Sequence, residues 1–181
     1  MKRIILVLLV TSLIAIPVYA DNFQDGVAAY GNKDYKEAYK LWLPFAEQGY
    51  ESAQFNLGTM YENGEGIPKD LKEAIRWFRL SAEQGDAEAQ YSLGLMYDNG
   101  RGIPKDYKEA AKWYRLSAEQ GHRSAQYNLA LKSGRGEGVP QDFKEAVRLF
   151  RLSAEQGHVN AQYNMGVMHR HGLGVPRDYV L

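Results

Sequence analysis

The side chains that could do chemistry are few. The chain has four histidines, His122, His158, His169 and His171, and no cysteine, which removes thiol nucleophiles and thiolate metal sites. Catalysis needs a nucleophile beside a base, an acid and base pair, or a metal cluster, and none stands at a convincing spacing. His169-x-His171 is the one histidine cluster; on a helix that spacing points the rings apart, unlike the i, i+4 pair that grips zinc. His122 and His158 recur at the position of Asp86 and read as solvated turn residues. Gly64-x-Gly66, Gly100-x-Gly102, Gly136-x-Gly138 and Gly172-x-Gly174 resemble phosphate loops only superficially. No strand precedes them and no Gly-Lys-Ser follows, so they read as turns between helices. No catalytic residue, metal ligand or cofactor is expected.

A binding surface has better support. Phe55, Tyr91, Tyr127 and Tyr163 form an aromatic row, which serves either as anchors for a partner or as packing between repeats. Beside it run Thr59, Leu95, Leu131 and Val167, then Glu62, Asp98, Gly134 and Arg170, then Asn63, Asn99, Arg135 and His171. The charge changes sign along this array. Such a pattern would orient an extended peptide of complementary polarity and speed its encounter more than tighten it; an ordinary solvated face is the competing reading.

These rows exist because the chain repeats itself every 36 residues. Ala53-Gln54-Phe55-Asn56-Leu57-Gly58 returns as Ala89-Gln90-Tyr91-Ser92-Leu93-Gly94, as Ala125-Gln126-Tyr127-Asn128-Leu129-Ala130, and as Ala161-Gln162-Tyr163-Asn164-Met165-Gly166. A fixed period of this size indicates a stack of supersecondary units. In each unit a first segment, helix A, carries Ala53, Leu57, Met60 and Tyr61 at spacings of three and four. It stops at Gly64-Glu65-Gly66-Ile67-Pro68, where glycines release the helix and proline biases its predecessor away from it. Asp70 with Glu73, Asp106 with Glu109 and Asp142 with Glu145 have capping-box spacing and start helix B. Its apolar face is Ala74, Ile75, Phe78 and Ala82, with Trp77 alongside, and Gly85 suits the turn that ends it. Gly58 and Gly94 mark close helix contacts.

Two short amphipathic helices cannot bury a core alone, so neighbouring hairpins must stack. The divisions expected are 51–86, 87–122 and 123–158 as full repeats and 159–181 as a truncated one. Residues 21–50 form an opening tetratricopeptide-like hairpin with a shorter turn at Gly31-Asn32-Lys33 and helix A over Phe23 to Tyr30. Residues 1–20 differ in kind: Lys2 and Arg3, an apolar run from Ile4 to Ile16 broken by Thr11 and Ser12, then Val18-Tyr19-Ala20. This is a cleavable signal peptide in outline, cut after Ala20. The rival, an uncleaved anchor, has an apolar run shorter than the roughly 20 residues that span a bilayer. No stable membrane anchor is expected after cleavage, and the destination is the bacterial periplasm or the medium. Lys plus Arg and Asp plus Glu number 22 each, so no net field attracts nucleic acid. Without cysteine, packing alone must hold the fold.

Ala-Gln-Tyr-x-Leu-Gly-x-Met-Tyr, then Gly-x-Gly-Ile-Pro-x-Asp, Glu-Ala, Trp-Tyr and Ala-Glu-Gln-Gly together resemble the Sel1-like repeat over nearly all of residues 23–181. The resemblance implies an all-α fold, a right-handed α-solenoid of Sel1-like, tetratricopeptide-like helical hairpins. It also implies a non-enzymatic scaffold that binds a protein or peptide through its concave helix A face. The candidate contacts there are Phe55, Thr59, Glu62, Asn63, Tyr91, Leu95, Asp98, Asn99, Tyr127, Leu131, Arg135, Tyr163 and Arg170. Two alternatives come with the family: β-lactam binding or hydrolysis, known in cysteine-rich secreted members whose cysteines this chain lacks, and capture of a host factor.

Two departures from the pattern carry expectations. Lys132 and Ser133 replace Met96 and Tyr97 in the 123–158 unit, which predicts a lost apolar contact, a lost ring and a soft joint over 124–133, since losing a buried aromatic costs about 3–5 kcal/mol. Arg177-Asp178-Tyr179-Val180-Leu181 begins a helix B and stops. Ala161, Met165 and Met168 are therefore expected to be exposed, with fraying, homodimerisation through that end or a truncated reading frame as its consequences.

Overall fold

The computed structural model describes residues 15–177. Most of the expected signal peptide and the last four residues lie outside that range. Nine α-helices and no strands occupy the described residues: α1 (Ala15–Gly31), α2 (Tyr35–Glu47), α3 (Glu51–Asn63), α4 (Leu71–Gln84), α5 (Ala87–Asn99), α6 (Tyr107–Glu119), α7 (Arg123–Arg135), α8 (Phe143–Glu155) and α9 (Val159–His171). Each packs chiefly on the helix before it and the helix after it, which makes the chain an all-α solenoid of helical hairpins. Odd-numbered helices are helix A and even-numbered ones helix B. Within the described residues α1 is already helical at Ala15 rather than from Phe23, and its backbone runs unbroken past Ala20.

Helix B starts as its aspartates dictate, with one correction. Asp70 accepts from the backbone N–H of Lys72 and Glu73, Asp106 from Lys108 and Glu109, and Asp142 from Lys144 and Glu145. The reciprocal half of the capping box is absent. Each aspartate's own N–H donates instead to a helix A carbonyl: Tyr61 O at 3.0 Å, Tyr97 O at 3.0 Å and Ser133 O at 2.8 Å. The loop folds back far enough to supply a backbone acceptor, which frees Glu73, Glu109 and Glu145 to bind Arg76, Lys112 and Arg148.

The hairpins close on small residues. A Cβ on Gly58 would stand 2.5 Å from Phe78 Cδ1, and one on Gly94 2.6 Å from Tyr114 Cδ1, so the expected close contacts are present. The hairpins then join through a polar ladder. Gln54, Gln90 and Gln126 are buried, and a buried amide must find partners. Each donates to the carbonyl of an alanine eight residues earlier, Ala46 at 3.0 Å, Ala82 at 3.1 Å and Ala118 at 3.3 Å. Each also accepts from a glutamine 30 residues later, Gln84 at 2.7 Å, Gln120 at 2.8 Å and Gln156 at 2.8 Å. Ala-Gln and Ala-Glu-Gln-Gly recur together because they are the two ends of one hydrogen-bonded chain between successive repeats.

Candidate functional site

The aromatic row lies in the seams of the stack. Phe55 packs on Phe78 at 5.8 Å between ring centroids, Tyr91 on Tyr114 at 6.0 Å and Tyr127 on Phe150 at 5.8 Å. Tyr91 also meets the His122 ring at 4.6 Å, and Tyr127 stacks on His158 at 4.5 Å. Both histidines are more than solvated turn residues. Nδ1 of His122 accepts from the Ala125 N–H at 3.1 Å and Nδ1 of His158 from Ala161 at 3.3 Å, so each caps a helix N-terminus as the Asp86 carboxylate does for Ala89. Residues that satisfy an amide at this position are interchangeable, and imidazole adds a ring for the preceding tyrosine. Tyr163 has no such ring against it among the described residues and is 73% exposed.

The charged row is also partly spent inside the stack. Glu62 pairs with Arg101 at 2.7 Å, the residue between the two glycines of the next repeat's loop. Tyr30 makes the same link one repeat earlier, donating to Glu65 at 2.7 Å. Asp98 should meet Glu137 in the same way, and both are acidic. Lys132 resolves this: its Nζ lies 2.5 Å from Asp98 Oδ1 and 2.7 Å from Glu137 Oε2, and 4.2 Å from the Tyr107 ring centroid. With only 5% of its surface exposed, Lys132 fills the place expected to have lost a contact. The ammonium holds the Glu137 carboxyl below its usual range, chiefly through their hydrogen bond. The missing Tyr97 ring at Ser133 is genuine. Arg79 Nη2 donates to Tyr97 Oη at 2.8 Å, and the equivalent Arg115 makes no hydrogen bond among the described residues.

Asn63, Asn99, Arg135 and Arg170 are exposed, whereas Thr59, Leu95 and Leu131 are half-buried. Sequence reasoning missed a groove of about 290 Å³ lined by Val27, Tyr30, Trp42, Phe55, Asn56 and Thr59. It brings two candidate contacts, Phe55 and Thr59, together with an exposed valine and the half-buried amide of Asn56. The α1 residues belonged to the opening hairpin, whose shorter turn hid their register with later repeats. At the other end the expectation needs correction: Ala161 and Met168 are buried, and Val159 and Tyr163 are the exposed apolar groups. A Cβ on Gly166 would meet nothing within 4 Å. Ala161 and Met168 belong to the stripe that packs backward onto the preceding hairpin.

Among the described residues no three histidine or acidic side chains converge as a metal site, and no helix is long and apolar enough to cross a membrane. Burial, aided by a hydrogen bond to Glu65, pushes the Tyr30 hydroxyl up to about 12; burial with the Tyr39 contact does the same for Tyr61. Tyr114 is raised further, first by burial and then by Asp98. A phenol raised by folding stabilises the fold fully below its ordinary value near ~10 and loses that contribution as pH rises through the raised one. Ultraviolet titration should therefore show Tyr30 and Tyr61 ionising only near pH 12 and Tyr114 no earlier, together with loss of the helical circular dichroism. Complete ionisation near the ordinary value with helicity intact would contradict the packing described.

The Sel1 repeat family matches residues 19–50, 51–86, 87–122, 123–158 and 159–181. No curated protein matches the chain. A Sel1 repeat protein from Oxalobacter formigenes is similar over 86% of this chain, with 36% identity and a TM-score of 0.83. A protective antigen present in uropathogenic Escherichia coli strains, displaying an SLR fold, is similar over 88%, with 37% identity and a TM-score of 0.85. The chain spans 64% of the first of these and 35% of the second. Cysteine-rich protein B of Helicobacter pylori shares the fold over 71% of this chain and 96% of its own, at 20% identity and a TM-score of 0.58. Five consecutive matches, the unbroken period and the hairpin stack agree: the chain belongs to the Sel1 repeat family.

Proposed function

We propose that the chain is an exported, non-enzymatic scaffold that binds a protein or peptide along its helix A side, in the periplasm or outside the cell. Sel1 repeats generally mediate protein–protein interaction. The observation that carries the reading for this chain is the groove between α1 and α3. Its walls are the rings of Tyr30, Trp42 and Phe55 with Val27, and the Asn56 side chain in it makes no hydrogen bond among the described residues. An apolar concavity with one placed polar group is the ordinary form of a recognition site. The exposed Asn63 and Asn99 continue the same helix faces and would meet a chain leaving the groove. Export rests on the basic start, apolar run and small-residue site of residues 1–20.

The test uses the groove rather than the seam tyrosines, because removing Tyr91 or Tyr127 would also loosen the stack. The immobilised full chain is exposed to envelope extract and its partner identified by mass spectrometry. Changing Val27→Glu together with Thr59→Arg should abolish capture at least tenfold while helicity and melting temperature stay unchanged. Undiminished capture by that variant would remove the groove from the interface.

A further inference from the structure

Helix B of the first two full repeats carries the same short device. In α4, Arg76 is held by Glu73 at 2.9 Å and its guanidinium lies 3.9 Å from the Trp77 ring centroid. In α6, Lys112 is held by Glu109 at 3.4 Å and lies 5.1 Å from that of Trp113. Both indoles are buried, and Trp77 packs among Ala38, Trp42 and Phe45 of the preceding hairpin. Neither indole N–H has a hydrogen-bond partner among the described residues. What these two places hold is ring area under a cation, with no demand for a donor.

In α8 the cation is in place and the ring is missing. Arg148 is held by Glu145 through two bonds, Nε to Oε2 at 2.7 Å and Nη2 to Oε1 at 2.8 Å, yet the following residue is Leu149. A groove of about 450 Å³ opens between α6, α7 and α8, with Leu129, Leu149 and Leu152 among its lining. The loss of the Tyr97 ring at Ser133 falls in the same repeat. The charged lining residues are Arg115, Glu119, Glu145 and Arg148, two of each sign, so the groove favours an uncharged occupant. A guanidinium already fixed beside an apolar cleft attracts the face of an aromatic ring.

We propose that this groove binds an aromatic side chain, of tryptophan size, projecting from a partner polypeptide, which takes the place that Trp77 and Trp113 fill in the earlier repeats. The site lies chiefly on helix B residues of α6 and α8, with Gln126 and Leu129 of α7 at its edge, and shares no residue with the groove at Val27, Phe55 and Thr59, so neither proposal depends on the other.

The test is a titration of the isotope-labelled full chain with N-acetyltryptophanamide, followed by nuclear magnetic resonance. Saturable shifts are expected at the backbone amides of Gln126, Leu129, Leu149 and Leu152, and none with N-acetylleucinamide. Leu149→Trp supplies the ring from the chain itself; it should raise the melting temperature and abolish the shifts. Arg148→Gln, which keeps the leucine and covers the case in which the tryptophan variant fails to fold, should weaken the probe about fivefold. Shifts that persist in Leu149→Trp, that are equal for the leucine probe or that ignore Arg148→Gln would overturn the proposal. Movement of these amides on raising protein concentration alone would place a second copy there and overturn it equally. Val27→Glu with Thr59→Arg should leave the probe's binding unchanged.

Discussion

Replacing Lys132 by methionine, the residue found at the equivalent positions Met60, Met96 and Met168, is expected to destabilise the chain by about 2 kcal/mol rather than repair an imperfect repeat. Breaking a fully buried ion pair costs about 3–5 kcal/mol because it strands a charge; here two carboxylates lose the ammonium, but Asp98 keeps the Tyr114 hydroxyl at 3.2 Å, Glu137 keeps Arg135 at 3.9 Å, and their side chains are 19% and 28% exposed. The Met side chain restores apolar contact and offsets part of the loss. Urea unfolding followed by circular dichroism should show a lower midpoint. Adding Glu137→Arg to Lys132→Met should recover most of it, because a guanidinium at that position would face Asp98 as Arg101 faces Glu62. The pair of changes forms a double-mutant cycle with coupling of about 1–2 kcal/mol.

The same triad fixes a pH signature. The Glu137 carboxyl is held low by Lys132, so its contribution is present above the ordinary carboxylate value and is lost as pH falls through the depressed one. The difference in stability between the native chain and Lys132→Met should therefore shrink on acidification. A difference that stays constant from neutral pH to below that range would mean that the ammonium is not the carboxylate's partner.

Lys132 shows where a repeat alignment stops being informative. Reading down the column of Met60, Met96, Lys132 and Met168 marks the lysine as a defect. Its cause lies in two other columns, at Asp98 in the preceding repeat and at Glu137 in the next loop, where the arginine of position 101 has become an acid. The period, the two helices per unit and the aspartate starts were legible because each is local chemistry written into every copy. The glutamine ladder was visible as identity but not as function, because the donor and acceptor sit 30 positions apart and meet only after stacking. His122 and His158 were misread for a related reason. Their column begins with an aspartate, and the shared property of accepting one amide hydrogen outweighs the difference in residue class. The candidate contacts suffered most: periodicity places side chains on a face, but whether a ring on that face is covered depends on what packs against it, and Tyr127 is covered by Phe150 and His158 where Tyr163 is exposed.

Gly136 and Gly138 look alike in sequence, two residues apart in one turn, and both have left-handed φ, +71° and +74°. Alanine should nevertheless separate them widely. At Gly136 an added Cβ would lie 3.3 Å from the Gln141 Cβ, so the cost is mainly that of a left-handed non-glycine residue, about 1 kcal/mol. At Gly138 the added atom would run into the backbone carbonyl of Tyr107 and stand 2.6 Å from the Lys108 nitrogen. Those atoms form the first turn of α6, which cannot yield as a flexible side chain does. The cost should rise to about 3 kcal/mol or more, the conformational term plus the strain of overpacking, and the two repeats should be forced apart. In a nearest-neighbour stack, weakening one interface uncouples what lies on either side. Gly138→Ala is therefore expected to broaden the urea transition or split it into two, while Gly136→Ala shifts a single transition slightly. Equal midpoints for the two variants would show that the second glycine serves only the turn; a split confined to Gly138→Ala would identify the Gly-x-Gly loop as the wedge on which each hairpin rests against the last.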